Sequence, residues 1–182
     1  TESAFSILAE AKKLEAQGKE MIHLGLGQPD FKSPKHVVDA AKKAIDDGHH
    51  GYVLANGTLE CRQAVTRKIK KLYNKEVSPE RVMIMPGGKP TMYFAISMIG
   101  EPGAEIIYPT PGFPIYESMI NYTGSKAVPY DLLGDKDLKF DPEKILSLIN
   151  DKTRLLVIIN PNNPTGSFVE KSAIDFLAEG LK

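Results

Sequence analysis

The chain has almost no cysteine: Cys61 is the single thiol among 182 residues. One cysteine excludes an intramolecular disulfide and any all-cysteine metal cage, and it fits a reducing compartment. Nor is there an excess of charge, because Lys plus Arg and Asp plus Glu are equal at 23 each. No overall field draws such a chain to nucleic acid or an anionic membrane, and pairs such as Lys42-Lys43 and Lys70-Lys71 read as solvated helix faces. Long apolar runs are missing too. None approaches the roughly eighteen residues of a membrane span, and no basic-then-apolar leader precedes a small-residue cleavage site, so the expected location is the cytoplasm. The four histidines lack the spacing of a compact metal motif, and no metal site is expected.

What is present suits a globular α/β domain with a substantial core, at 42% hydrophobic residues. Residues 3–17 read as a Lys- and Glu-rich helix stopped by Gly18, and 21–31 as a short strand-like run that breaks up at Gly25, Gly27 and Pro29. Ser33-Pro34 is placed to cap and start a helix with Val37, Val38, Ala41 and Ile45 on its apolar face. Thr58 is placed to cap another that carries Leu59, Cys61, Val65, Ile69 and Leu72, which makes Cys61 a buried small side chain. From there short strands alternate with helices: strands over 82–85, 104–108, 126–130 and 155–159, helices over 90–99, 114–122, 142–149 and from Lys171 onward. Asp141 opens the third of these helices. Such alternation specifies a sheet covered by helices on both faces.

In sheets of that kind ligands collect at the loops beyond the carboxyl ends of the strands. Three such loops, 86–91, 109–116 and 160–166, are rich in Gly, Pro, Asn and aromatic residues, which favours one shared site over three unrelated turns. In the first, Gly87, Gly88 and Lys89 precede a helix, where backbone amides and the helix dipole can hold a phosphate. Pro90 has no amide to give. A nucleotide P-loop is rejected, because Met83 stands where it needs glycine and Pro90 where it needs Ser or Thr. A tight turn without a ligand is the plain alternative. In the second loop Phe113 is either the cover of a planar ring or a core residue. Tyr52, beside Gly51, is equally open between a phosphate donor and a packing residue. In the third loop Asn163 precedes Pro164, and its amide can donate to a ring oxygen while the proline fixes its approach, an ordinary turn being the alternative.

Taken in order, LGLGQPDF, GYVLANGTLECRQAV, MPGGKPTM, YPTPGFPIY and INPNNPTG resemble the class I and II aminotransferases, fold-type-I pyridoxal phosphate enzymes related to aspartate aminotransferase. The resemblance covers nearly all of this chain and about the first half of a usual family member. It implies a three-layer αβα major domain with a mostly parallel mixed sheet, incomplete in this chain. Residues 1–30 would then be an N-terminal arm or small-domain segment. Residues 31–182 would be the first portion of the large domain, ending before the catalytic lysine. It implies pyridoxal 5′-phosphate as cofactor, with Gly87, Gly88 and Lys89 in the phosphate cup, Phe113 stacked on the pyridine ring and Asn163 on the ring's 3-oxygen. Lys89 departs from the hydroxyl residue of many relatives. Tyr52 matches the tyrosine that reaches the phosphate of a neighbouring subunit, which implies a homodimer, and Gly27 matches the loop near the substrate carboxylate. The Schiff-base lysine, the ring-nitrogen aspartate and the substrate-carboxylate arginines of the family have no matching segment here. The implied activity is transfer of an amino group between an L-amino acid, aspartate among the choices, and a 2-oxo acid. A C–S lyase or synthase of the same fold, and a noncatalytic fragment, are the alternatives.

Overall fold

The computed structural model describes residues 3–132 and 140–182, which fall into two compact units, Ser3–Pro86 and Gly87–Lys182. In the first, helices α1 (Ser3–Ala16), α2 (Lys35–Asp46) and α3 (Leu59–Tyr73) are joined by irregular chain, and a 3-10 turn, Pro79–Arg81, follows α3. Thr58 caps α3 as its position implies, its hydroxyl accepting from the Cys61 amide at 3.3 Å. Ser33-Pro34 does not cap α2 through a side chain: the N-cap is Pro34, which has no side chain able to accept. Cys61 is exposed rather than buried. Its neighbour Arg62 is the buried residue, only 2% exposed. The Arg62 guanidinium donates through Nε to the Gly57 carbonyl at 3.3 Å and through Nη1 to the Pro79 carbonyl at 3.0 Å and Glu80 Oε1 at 3.2 Å. Carbonyl acceptors make burial of a cation tolerable. Of the apolar pattern on α3, Val65 and Ile69 are half-buried, while Leu59, Cys61 and Leu72 are exposed.

The second unit carries α4 (Gly88–Ile99), β1 (Glu105–Thr110), α5 (Ile115–Tyr122), β2 (Lys126–Asp131), α6 (Pro142–Ser147), β3 (Thr153–Leu156) and α7 (Lys171–Gly180). The strands form one parallel sheet in the order β2-β1-β3. Period-two alternation along β1 divides its side chains between two cores. Ile106 and Tyr108 pack with Ile96 of α4 and with Met119 and Ile120 of α5. Ile107 packs on the opposite face with Tyr130, with Ile145 of α6 and with Leu177 of α7. Helices therefore cover both faces, in the three layers expected. Asp141 caps α6, its carboxylate accepting from the Glu143 and Lys144 amides at 3.1 Å each.

The runs 82–85 and 21–31, read as strand-like, are not strands. A strand exists through its neighbour's ladder, and the backbone bonds found in the first run, from the Val82 amide to the Pro79 carbonyl and from the Ile84 amide to the Asn56 carbonyl, both at 3.1 Å, build none. β1 in turn runs further than expected, through Pro109. Pairing with β3 ends at Ile107↔Leu156, so the missing proline N–H interrupts no rung on that side. The Leu132 amide still reaches the Thr110 carbonyl at 2.8 Å on the other.

At the start of β1 the buried Glu105 carboxylate accepts from Asn150 Nδ2 at 2.9 Å and from Lys126 Nζ at 2.9 Å. These bonds, that from Asn150 foremost, hold its carboxyl below the ordinary value of 4.5. A depressed carboxylate stabilises the fold above that value, and the contribution disappears as pH falls through the folded-state pKa. Glu105→Gln is therefore expected to flatten the acid limb of the stability profile. Urea unfolding at pH 7 and pH 3 checks this: the difference between the two pH values shrinks in the variant.

Candidate cofactor site

Because the three strands are parallel, their carboxyl ends share one edge of the sheet. The loops that follow β1 and β3 lie at that edge. Gly87, the N-cap of α4, has φ +93 and ψ 172, a combination open essentially to glycine alone. No side chain caps the helix start, and a Cβ on Gly87 would meet nothing within 4 Å. The amides of Gly88 and Lys89 open α4, and Pro90 then interrupts the row of donors.

After β1 the chain passes a cis Thr110-Pro111 bond to the half-buried Phe113. The Lys89 ammonium stands 5.9 Å from the centroid of that ring, within cation–π range, so the start of α4 and the loop after β1 are neighbours. The loop after β3 contains two further cis bonds, Asn160-Pro161 and Asn163-Pro164. Between them Asn162 is buried. Its Nδ2 donates to the Pro111 carbonyl at 3.2 Å and to Thr165 Oγ1 at 2.8 Å. Its amide donates to the Ser167 carbonyl at 2.7 Å, and its carbonyl accepts from the Gly166 amide at 2.8 Å. Asn163 is thus an exposed residue on a turn closed by its neighbour.

Two contacts, Lys89 to Phe113 and Asn162 to Pro111, gather the stretches 87–89, 111–113 and 162–166. Gly87, Gly88, Lys89, Phe113 and Asn163 therefore belong to one neighbourhood. Gly27 and Tyr52 lie in the Ser3–Pro86 unit, both exposed to solvent. Asn162 is the group that sequence reasoning passed over. Its signal in the sequence is the doubled asparagine, Asn162-Asn163. Beneath the loops, burial and the adjacent Glu117 raise the Tyr108 hydroxyl pKa, and burial raises that of Tyr116. Tyr130, buried, donates to the Val157 carbonyl at 3.1 Å and is raised further by desolvation. All three stay protonated donors near neutrality.

The family described as aminotransferase class I and II matches residues 19–182. The chain belongs to that family. Aspartate aminotransferase of Bacillus subtilis is 33% identical over 177 residues, which are 97% of this chain and 45% of the relative. The (5-formylfuran-3-yl)methyl phosphate transaminase of Methanocaldococcus jannaschii is also 33% identical, over 96% of this chain and 45% of its own length. Among solved structures, Thermus thermophilus aspartate aminotransferase with maleate superposes with a TM-score of 0.91 at 31% identity, covering 98% of this chain and 47% of that one. Alanine aminotransferase from Pyrococcus furiosus gives 0.89 at 29% identity, over 100% and 48%. The chain spans about half the length of the relatives it matches.

The cofactor of this family is pyridoxal 5′-phosphate, and the residues at the sheet edge fit it. Gly87 leaves open space beside helix-start amides suited to a phosphate. An aromatic ring and an exposed asparagine amide, brought to the same edge, suit a flat heterocycle bearing an oxygen.

Proposed function

We propose that this chain is the first part of an aminotransferase that exchanges an amino group between an L-amino acid and a 2-oxo acid, with pyridoxal 5′-phosphate as cofactor. The observation that carries the reading is the gathering of Lys89, Phe113 and the Asn162-Asn163 turn at the carboxyl edge of one parallel sheet. Residues 1–30 form an arm or small-domain segment in this reading, and 31–182 the first portion of the cofactor-binding domain.

The residues then divide the work. Gly87, Gly88 and Lys89 hold the cofactor phosphate through the backbone, with the positive end of α4 behind them. Phe113 covers one face of the pyridine ring and restricts water there. Asn163 donates its side-chain amide to the ring's 3-oxygen. When bound, the cofactor supplies the electron sink that makes a substrate Cα–H bond acidic. Gly27 leaves room for the substrate carboxylate. Tyr52 donates its hydroxyl to the phosphate in a second copy of the enzyme, so the working form is a homodimer. The proton-moving lysine belongs to sequence outside these 182 residues. The place of action is the cytoplasm. The names of the relatives make L-aspartate the first amino donor to test.

The test is product analysis on the complete enzyme with L-aspartate and 2-oxoglutarate. Transamination consumes the acceptor in equal amount to the 2-oxo acid formed. Release of 2-oxo acid from a β-substituted amino acid without acceptor consumption contradicts this reading and favours lyase chemistry.

A further inference from the structure

Asn162 and Asn163 are adjacent yet differ in exposure: Asn162 is only 7% exposed, whereas Asn163 faces solvent. We propose that Asn162 is a positioning residue that fixes the spacing between Phe113 and Asn163, and so between the cover of the cofactor ring and the donor to its 3-oxygen. The inference rests on the cofactor reading above and adds a residue to it.

An asparagine amide has two N–H donors, and both are used, one on the Pro111 carbonyl and one on Thr165 Oγ1. The orientation of the amide is fixed by chemistry, because the Pro111 carbonyl can only accept. Among the described residues Asn162 Oδ1 is buried with no partner. A buried amide oxygen without a donor is unfavourable. The fold accepts that cost at this place and obtains two donated bonds in return. The bond to Pro111 joins two loops that the chain separates widely, and the bond to Thr165 stays within the turn. One ends on Pro111, two residues before Phe113, and the other on Thr165, two residues beyond Asn163. The Asn162 backbone closes the turn as well, through Ser167 and Gly166. Thr165 Oγ1 also lies 2.7 Å from Ser167 Oγ, so the acceptor is itself held. Loss of the Asn162 amide frees the Phe113 loop from the Asn163 turn, and a displacement of about 1 Å is enough to spoil two contacts on one small ring.

The test uses Asn162→Ala and the nearly isosteric Asn162→Asp in the complete enzyme, titrated with pyridoxal 5′-phosphate. Unfolding of the cofactor-free forms is measured alongside. Each variant is expected to bind the cofactor about tenfold more weakly, which corresponds to roughly 1.4 kcal/mol. The pH midpoint of the bound cofactor's near-visible absorption is expected to move in the same direction as in Asn163→Ala. The double variant N162A/N163A moves it no further than N163A alone, as coupled residues require. Wild-type affinity and an unshifted midpoint in both Asn162 variants overturn the proposal, even where unfolding comes earlier. Should Asn162→Ala fail to fold, Asn162→Asp, which keeps the volume and removes the donors, decides the matter alone. Absence of any cofactor band in the wild-type enzyme overturns the functional reading itself, a result distinguishable from a band that ignores Asn162.

Discussion

Gly87→Ala is expected to weaken binding of pyridoxal 5′-phosphate by about a hundredfold, roughly 2.7 kcal/mol. At φ +93 and ψ 172 the backbone is in a region that non-glycine residues enter only at a cost of about 1–3 kcal/mol. An added methyl meets nothing within 4 Å, so the penalty is backbone strain, not a clash that neighbours can relieve. The chain escapes the strain by rotating, and rotation at the N-cap turns the Gly88 and Lys89 amides away from their common direction. Each hydrogen bond to a charged group is worth about 1.5–3 kcal/mol, so misaligning them accounts for the loss. Gly103→Ala is the control. Gly103 also has positive φ, +94, with nothing near its missing Cβ, but it precedes β1 at the opposite edge of the sheet. Its strain lowers stability and leaves cofactor affinity unchanged. Equilibrium titration of both variants checks the contrast.

Ile107→Ala is expected to destabilise the protein by about 3–4 kcal/mol, within the range for deleting a buried aliphatic side chain. Ile107 has no exposed surface and packs with Tyr130, Leu132, Ile145 and Leu177, so β2, α6 and α7 all lose contacts at once. Its backbone is fixed as well, the carbonyl accepting from the Val157 amide at 2.8 Å and the residue pairing with Val128 on the other side. The site cannot collapse without moving the sheet's central strand. Such a loss is a large share of the roughly 5–15 kcal/mol by which proteins are stable. Val37→Ala, at a residue 51% exposed on α2, is expected to change stability by less than about 0.5 kcal/mol. Urea unfolding curves of the two variants measure the difference.

The parts of the fold legible in the sequence are those decided locally. Asp141 and Thr58 satisfy helix-start amides two or three residues away, so their type and position sufficed. Lys171 begins α7 where the apolar pattern begins. The run 82–85 has strand composition, but strand formation depends on a partner that composition does not reveal. Cys61 and Arg62 show the same limit on a helix. Apolar character favours burying the thiol, whereas the carbonyls of Gly57 and Pro79 and the carboxylate of Glu80 settle Arg62 inside. At the site, the meeting of the loops after β1 and β3 followed from the rule that parallel strands share a carboxyl edge, whereas 86–91 follows no strand and joins them through Lys89 and Phe113; the motifs named Phe113 and Asn163. Asn162 was hidden because its role is a bond to Pro111, a residue remote in the chain, and no spacing rule encodes that contact.

In this reading the open start of α4 and the loops beside it hold a phosphorylated pyridine. Comparative titration of the complete enzyme with pyridoxal 5′-phosphate and with pyridoxal, which lacks the phosphate, tests it most directly. One pyridoxal 5′-phosphate per chain is expected, bound at least about a hundredfold more tightly than pyridoxal, as two charge-assisted bonds would give, with the advantage lost in Gly87→Ala. Equal affinity for the two compounds, or an advantage that survives Gly87→Ala, would contradict it.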